Sequence, residues 1–74
     1  MCCWVQNRVR DLRNESNLTQ EQLAAKLGVS RQSIISIEAG RYNPSLILAY
    51  RLARVFSCRI EDVFDFSEYE EGAE

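Results

Sequence analysis

Arg31 and Gln32 stand side by side in the stretch SRQSIISIEAG, with Ser36 one helical turn further on. A guanidinium and a primary amide can each make paired hydrogen bonds to one edge of a planar ring: Arg to O6 and N7 of guanine, Gln to N6 and N7 of adenine. A serine hydroxyl donates or accepts and serves either kind of edge. In a helix that begins at Ser30, Ile34 and Ile37 fall on one side. Arg31, Gln32, Ile35 and Ser36 fall on the other, so the face that carries this chemistry is not consumed by a core. The competing interpretation is an ordinary solvated first turn, in which an arginine opposes the helix dipole and gains nothing.

Such a face is useful only if its helix is held at a fixed angle, and the preceding residues supply the means. In TQEQLAAKLGVSRQSIISIEAG, Leu23, Ala24, Leu27, Val29, Ile34 and Ile37 form two helical stripes interrupted once, at Gly28-Val29-Ser30. Thr19 followed by Gln22 has the capping-box spacing and starts the first helix. Gly28, without a Cβ, ends it in a left-handed conformation, and Ser30 caps the second. Ala24 is small enough to let the two helices cross closely. A short helix, a glycine turn and a second helix at a steep angle make a helix-turn-helix unit.

This stretch, continuing into RYNPSL, closely resembles the Cro/phage-repressor type (XRE-like) of helix-turn-helix transcriptional regulator, over roughly residues 6 to 66. The resemblance implies an all-α, five-helix lambda-repressor-like DNA-binding domain that binds double-stranded DNA sequence-specifically as a small transcriptional regulator. Arg31, Gln32 and Ser36 would then contact bases. Gln20 matches a glutamine that binds phosphate in the family, at a helix N-terminus suited to anions. Arg13 and Glu38 match a structural pair that fixes the first helix on the motif. Arg59 departs from the family's usual Ser or Thr cap, and Cys58 from its usual aliphatic residue, so the start of the last helix is less defined than the rest.

The formal charge of −2 looks wrong for a DNA binder, but it is segregated. Residues 1–60 hold all nine basic side chains against four acids, a net of +5, whereas residues 61–74 hold seven acids and no base. Exposed charges more than about 8–10 Å apart are largely screened at physiological salt, so a basic face can act locally. The composition, 46% apolar and 27% charged over 74 residues, describes one small globular domain with a core at 6–66 and an acidic tail at 67–74. No run of about 18 apolar residues and no signal-peptide pattern is present, which leads us to expect a cytoplasmic protein without membrane contact. The tail is expected to sit away from DNA.

In chain order, Met1–Val5 is either a frayed start or a short strand; as a strand it would pair with the other end, where Phe64, Phe66 and Tyr69 lie. A first helix over Gln6–Glu15 puts Val5, Val9 and Leu12 on one face and ends at Ser16-Asn17. Leu18 plugs into the core. Gly40 closes the second helix of the motif. The loop Arg41-Tyr42-Asn43-Pro44 could clamp the DNA backbone, as could Ser30; for Tyr42 a ring lying over the core is an equal alternative. Arg8 and Arg10 are phosphate contacts or solvated charges. Ser45 caps a helix that turns Leu46, Ala49, Leu52, Ala53 and Phe56 inward. It is also apolar at Ile47, Leu48, Tyr50 and Val55, so something else must cover it.

One domain makes few DNA contacts, so a homodimer on a palindromic operator is expected, with recognition helices about 34 Å apart. Ile47, Tyr50, Val55, Phe64 and Phe66 are its candidate interface. Ile60–Asp65 forms the last short helix. No His, no CxxC, no paired carboxylates outside the tail and no glycine-rich phosphate loop appear, so neither a catalytic centre, a metal, a cofactor nor a small-molecule ligand is expected. Cys2, Cys3 and Cys58 are most simply reduced thiols, with a redox sensor as the alternative. Two other functions stay open: an antitoxin-type DNA-binding protein with a protein partner, and a protein-interaction module on this scaffold.

Overall fold

The computed structural model describes residues 5–67, in the order β1 (Gln6–Asn7), α1 (Val9–Glu15), α2 (Gln20–Leu27), α3 (Arg31–Glu38), α4 (Leu46–Val55), α5 (Ile60–Val63) and β2 (Phe64–Asp65). The helices are short, so their ends matter more than their middles. Thr19 and Gln22 form the reciprocal box: the Thr19 hydroxyl accepts from the Gln22 N–H at 3.0 Å, and Gln22 Oε1 accepts from the Thr19 N–H at 2.9 Å. Ser30 and Ser45 accept from the N–H groups of Ser33 and Leu48, each at 3.1 Å. Arg59 has no acceptor to offer, and the Asp62 carboxylate caps α5 from within by accepting the Arg59 N–H at 3.0 Å.

α1 to α4 all stop in the same way, on a residue with positive φ: Asn17 at 59°, Gly28 at 73°, Gly40 at 72° and Ser57 at 55°. After each, the next N–H folds back to a carbonyl five residues earlier, as from Leu18 to Arg13 at 3.1 Å and from Arg41 to Ser36 at 3.0 Å. Glycine occupies two of these positions because it takes the left-handed conformation without strain.

The core joins Val9, Leu23, Ala24, Leu27, Ile34, Ile37, Ala49, Leu52, Ala53, Val63 and Phe64. Ala24, 4% exposed, belongs to the buried side of α2, the helix that packs against α3. Around this cluster, Leu12, Leu18, Phe56 and Ile60 close the edges.

Three expectations need correction. α1 begins at Val9, not Gln6, because Gln6 and Asn7 pair antiparallel with Asp65 and Phe64. Asn7 also competes with the helix locally: its Oδ1 accepts from the Val9 N–H at 3.0 Å, while the Arg8 N–H goes to Val63 O at 2.8 Å. The termini therefore do pair, through the two residues that follow the stretch Met1–Val5 expected as the strand; Met1–Trp4, Tyr69 and the acidic tail from Glu68 lie outside the described residues. The second correction concerns Leu46, which is 76% exposed rather than inward, since it overhangs a groove at the edge of the core. The third is the last helix, which stops at Val63 and not Asp65, because Phe64 and Asp65 pair as β2; β2 turns Phe64, 3% exposed, into the core, which removes it from any interface. No helix among the described residues is long and apolar enough to cross a membrane.

Candidate nucleic-acid interface

α3 spends its inner side completely, with Ile34 and Ile37 both 0% exposed. Its first two residues, Arg31 and Gln32, are exposed, and their side chains have no hydrogen-bond or ion-pair partner among the described residues. Ile35 and Ser36 are half-buried beside them. The Ser30 hydroxyl is already committed to the Ser33 N–H and lies 3.1 Å from the Ser33 hydroxyl, so it fixes the helix start at which Arg31 projects.

Arg31 also borders an open hollow of about 740 Å³, walled by Arg13, Asn17, Thr19, Gln20 and Glu21. The N-termini of α2 and α3 thus lie on one side of the molecule. Each carries free N–H groups and the positive end of a helix dipole, which suits a phosphate.

Behind this hollow sits the Glu38 carboxylate, 1% exposed. Arg13 Nε donates to its Oε2 at 2.6 Å and Arg13 Nη2 to its Oε1 at 3.4 Å, while Gln20 Nε2 donates to Oε1 at 3.1 Å. Arg10 is a distant second cation, 3.9 Å away and mostly in solvent. Arg13 Nη1 donates to Leu18 O at 2.9 Å. One buried carboxylate thereby joins the end of α3 to α1, to the start of α2 and to the link between them. Gln20 is not a free surface residue, because this bond orients its amide.

The loop after α3 is anchored from the opposite terminus. Asn43 Oδ1 accepts the Val5 N–H at 3.0 Å, and Asn7 Nδ2 donates to Ile37 O at 2.8 Å. Asn7 is the functional-site residue that sequence reasoning missed. The available signal was an asparagine two residues before the first buried position of a helix, where its side chain can cap. Arg41 and Tyr42 are exposed, the latter by 43%, so the ring does not lie over the core. Arg8 donates to Asp62 O at 2.8 Å, which places its charge beside α5 rather than beside α3.

A second, apolar surface lies on α4. Ile47 is 66% exposed and Tyr50 53%. Next to them is a groove of about 280 Å³ walled by Val5, Pro44, Leu46, Ala49, Ile60 and Phe66. Val55 and Phe66 are half-buried against the core, so they offer only an edge. Cys58 is half-buried as well; burial first, then the Asp62 charge, pushes its thiol pKa up and disfavours the thiolate that oxidation chemistry needs.

Residues 9–63 match the HTH_3 helix-turn-helix family model. An HTH-type transcriptional regulator of Archaeoglobus fulgidus is 50% identical over 66 residues, 89% of this chain and 93% of its own length. One from Methanocaldococcus jannaschii is 52% identical over 66 residues, covering 89% of this chain and all of its own length. The cryptic phage CTXphi transcriptional repressor RstR of Vibrio cholerae is 32% identical over 62 residues, 84% of this chain and 56% of its own. Among solved structures, the restriction-modification controller protein C.AhdI of Aeromonas hydrophila superposes with a TM-score of 0.67 at 31% identity, covering 73% of this chain and 82% of its own. The chain belongs to the helix-turn-helix (HTH_3) family of transcriptional regulators.

Proposed function

We propose that this regulator binds a palindromic operator as a homodimer in the cytoplasm and represses transcription there. The observation that carries the reading is the bare Arg31-Gln32 pair at the start of a helix whose inner side is fully buried. Arg31, Gln32 and Ser36 face base edges in the major groove. Gln20, Ser30, Arg41, Tyr42 and Asn43 line the phosphates on the two sides of α3: the first pair through the N-termini of α2 and α3, the others through the loop that follows. Arg41 contributes most of that term, being charged and exposed, while Asn43 acts mainly by tying the loop to Val5. Arg13 and Glu38 hold the helices in register.

Ile47 and Tyr50, with the rims of Val55 and Phe66, form the self-association surface. Apolar side chains this exposed contribute little to a monomer, and pairing two copies doubles the contacts with DNA. The names of RstR, a transcriptional repressor, and C.AhdI, a controller protein, support a regulator of this kind.

Selection of bound sites from random duplex DNA tests the reading. The expected result is an inverted repeat with half-site centres one helical turn apart, about 10 bp, bound with steep salt dependence. Light scattering at micromolar concentration should give twice the monomer mass. A monomeric species, or a selected pool without a repeat, refutes the dimer; an unselected pool refutes sequence recognition altogether.

A further inference from the structure

Ile35 is the member of the outer face of α3 to which the contacts above give no task. Half-buried leucine, isoleucine, valine and phenylalanine side chains among the described residues pack against the core cluster, with Ile35 as the exception. The helical phase explains this. Successive residues turn by about 100°, so with Ile34 and Ile37 defining the inward direction, Ile35 falls on the outer side between Arg31 and Ala39, with Gln32 three residues behind it. The side chain with least to gain from water therefore stands among those with most to gain from base edges. It is also β-branched, which restricts its rotamers in a helix and makes it a stiff surface rather than an adaptable one.

The floor of a major groove presents donors and acceptors almost everywhere; its apolar feature is the C5-methyl group of thymine. We infer that Ile35 packs on a thymine methyl in the operator, next to the bases read by Arg31 and Gln32, and selects thymine over cytosine at that step. This rests on the DNA-binding reading above and names a specificity residue within it. An aliphatic group on that face cannot replace the hydrogen bonds a wrong base would lose to water. It therefore discriminates through the methyl, since the thymine O4 acceptor and the cytosine N4 donor would be left equally unpaired by it.

Deoxyuridine keeps every hydrogen-bonding group of thymidine and lacks only the methyl, so the test can be made on the DNA without altering the protein. Each thymine of the selected site is replaced in turn by deoxyuridine, and binding is measured with the native chain and with Ile35→Ala, whose fold is checked by circular dichroism. The native protein should lose about fourfold in affinity at one thymine of a half-site, the worth of one buried methyl. Ile35→Ala should bind the thymine and uracil sites equally. A native protein indifferent to every replacement, or an Ile35→Ala protein that keeps the preference, overturns the inference while leaving DNA recognition intact. If no site can be selected from random DNA, the DNA-binding reading fails, and this inference with it.

Discussion

The two ends of α3 carry charge against the helix dipole, and they handle it in opposite ways. Arg31 adds a positive charge to the positive N-terminus, and Glu38 a negative charge to the negative C-terminus, so neither residue is there to stabilise its own helix. The Glu38 side chain is 1% exposed and takes donors from Arg13 and Gln20, so its reason for being there is visible within the fold. Arg31 is exposed and has no partner among the described residues, so its reason lies outside them. The difference separates two uses of one element. The end that is tied to the other helices has its bonds filled, and the end proposed to meet DNA is left open, with the Ser30 cap keeping the open end helical.

The sharpest way to break this contrast is at the closed end. Removing Glu38 as Glu38→Ala leaves the Arg13 guanidinium, whose side chain is only 13% exposed, without its counter-charge. Stranding one partner of a buried pair costs about 3–5 kcal/mol, a large share of what a domain this small can have. Urea denaturation should show a loss of that size, or no folded baseline at all, with DNA binding lost alongside. A loss under about 1 kcal/mol would mean that the cluster is solvated like a surface pair and does not set the helix angle.

At the open end the expected effects are smaller and of another kind. Arg31→Ala or Gln32→Ala should weaken binding to the selected site by about 1–3 kcal/mol and relax preference at one base position each. Stability should change by no more than about 0.5 kcal/mol, because no intramolecular bond is removed. Competition assays against sites mutated base by base separate this from the alternative. A loss that is uniform over all sequences, together with a shallower salt slope, would reassign the residue to phosphate.

The sequence revealed the motif because its determinants are local. Thr19, Gly28, Ser30, Gly40 and Ser45 act within four residues of themselves, and all five sit where their side chains or φ angles were expected to act. What misled were partners far away in the chain. Nothing near Gln6 announces that it will lie beside Asp65, nor near Asn43 that its Oδ1 will accept the Val5 N–H 38 residues earlier. Leu46 has the right phase to point inward with Ala49, but a period does not say where the core stops. Arg31 and Gln32 were legible as a face and Ile35 as part of it, yet that Ile35 is the half-buried aliphatic side chain among the described residues that does not pack on the core required the positions of all the others.

Asn7 allows a finer cut, since its amide ties the closed end of α3 to the start of α1 from the strand side. Nδ2 donates to Ile37 O, in the last turn of α3, and Oδ1 caps Val9 at the start of α1. Asn7→Ala removes both bonds, leaving the Ile37 carbonyl only the Gly40 N–H, and should cost about 1–3 kcal/mol at about 0.5–1.5 kcal/mol per bond. Asn7→Asp separates the two roles. A carboxylate still accepts the Val9 N–H, and at a helix N-terminus it gains about 0.3–1 kcal/mol from the dipole, but it cannot donate to Ile37 and turns an acceptor towards an acceptor. If α3 is held from this side as it is by Glu38, Asn7→Asp should be at least as unstable as Asn7→Ala in chemical denaturation. Stability restored to the native value would show instead that the cap on α1 carries the residue, and that the closed end of α3 depends on the Glu38 cluster alone.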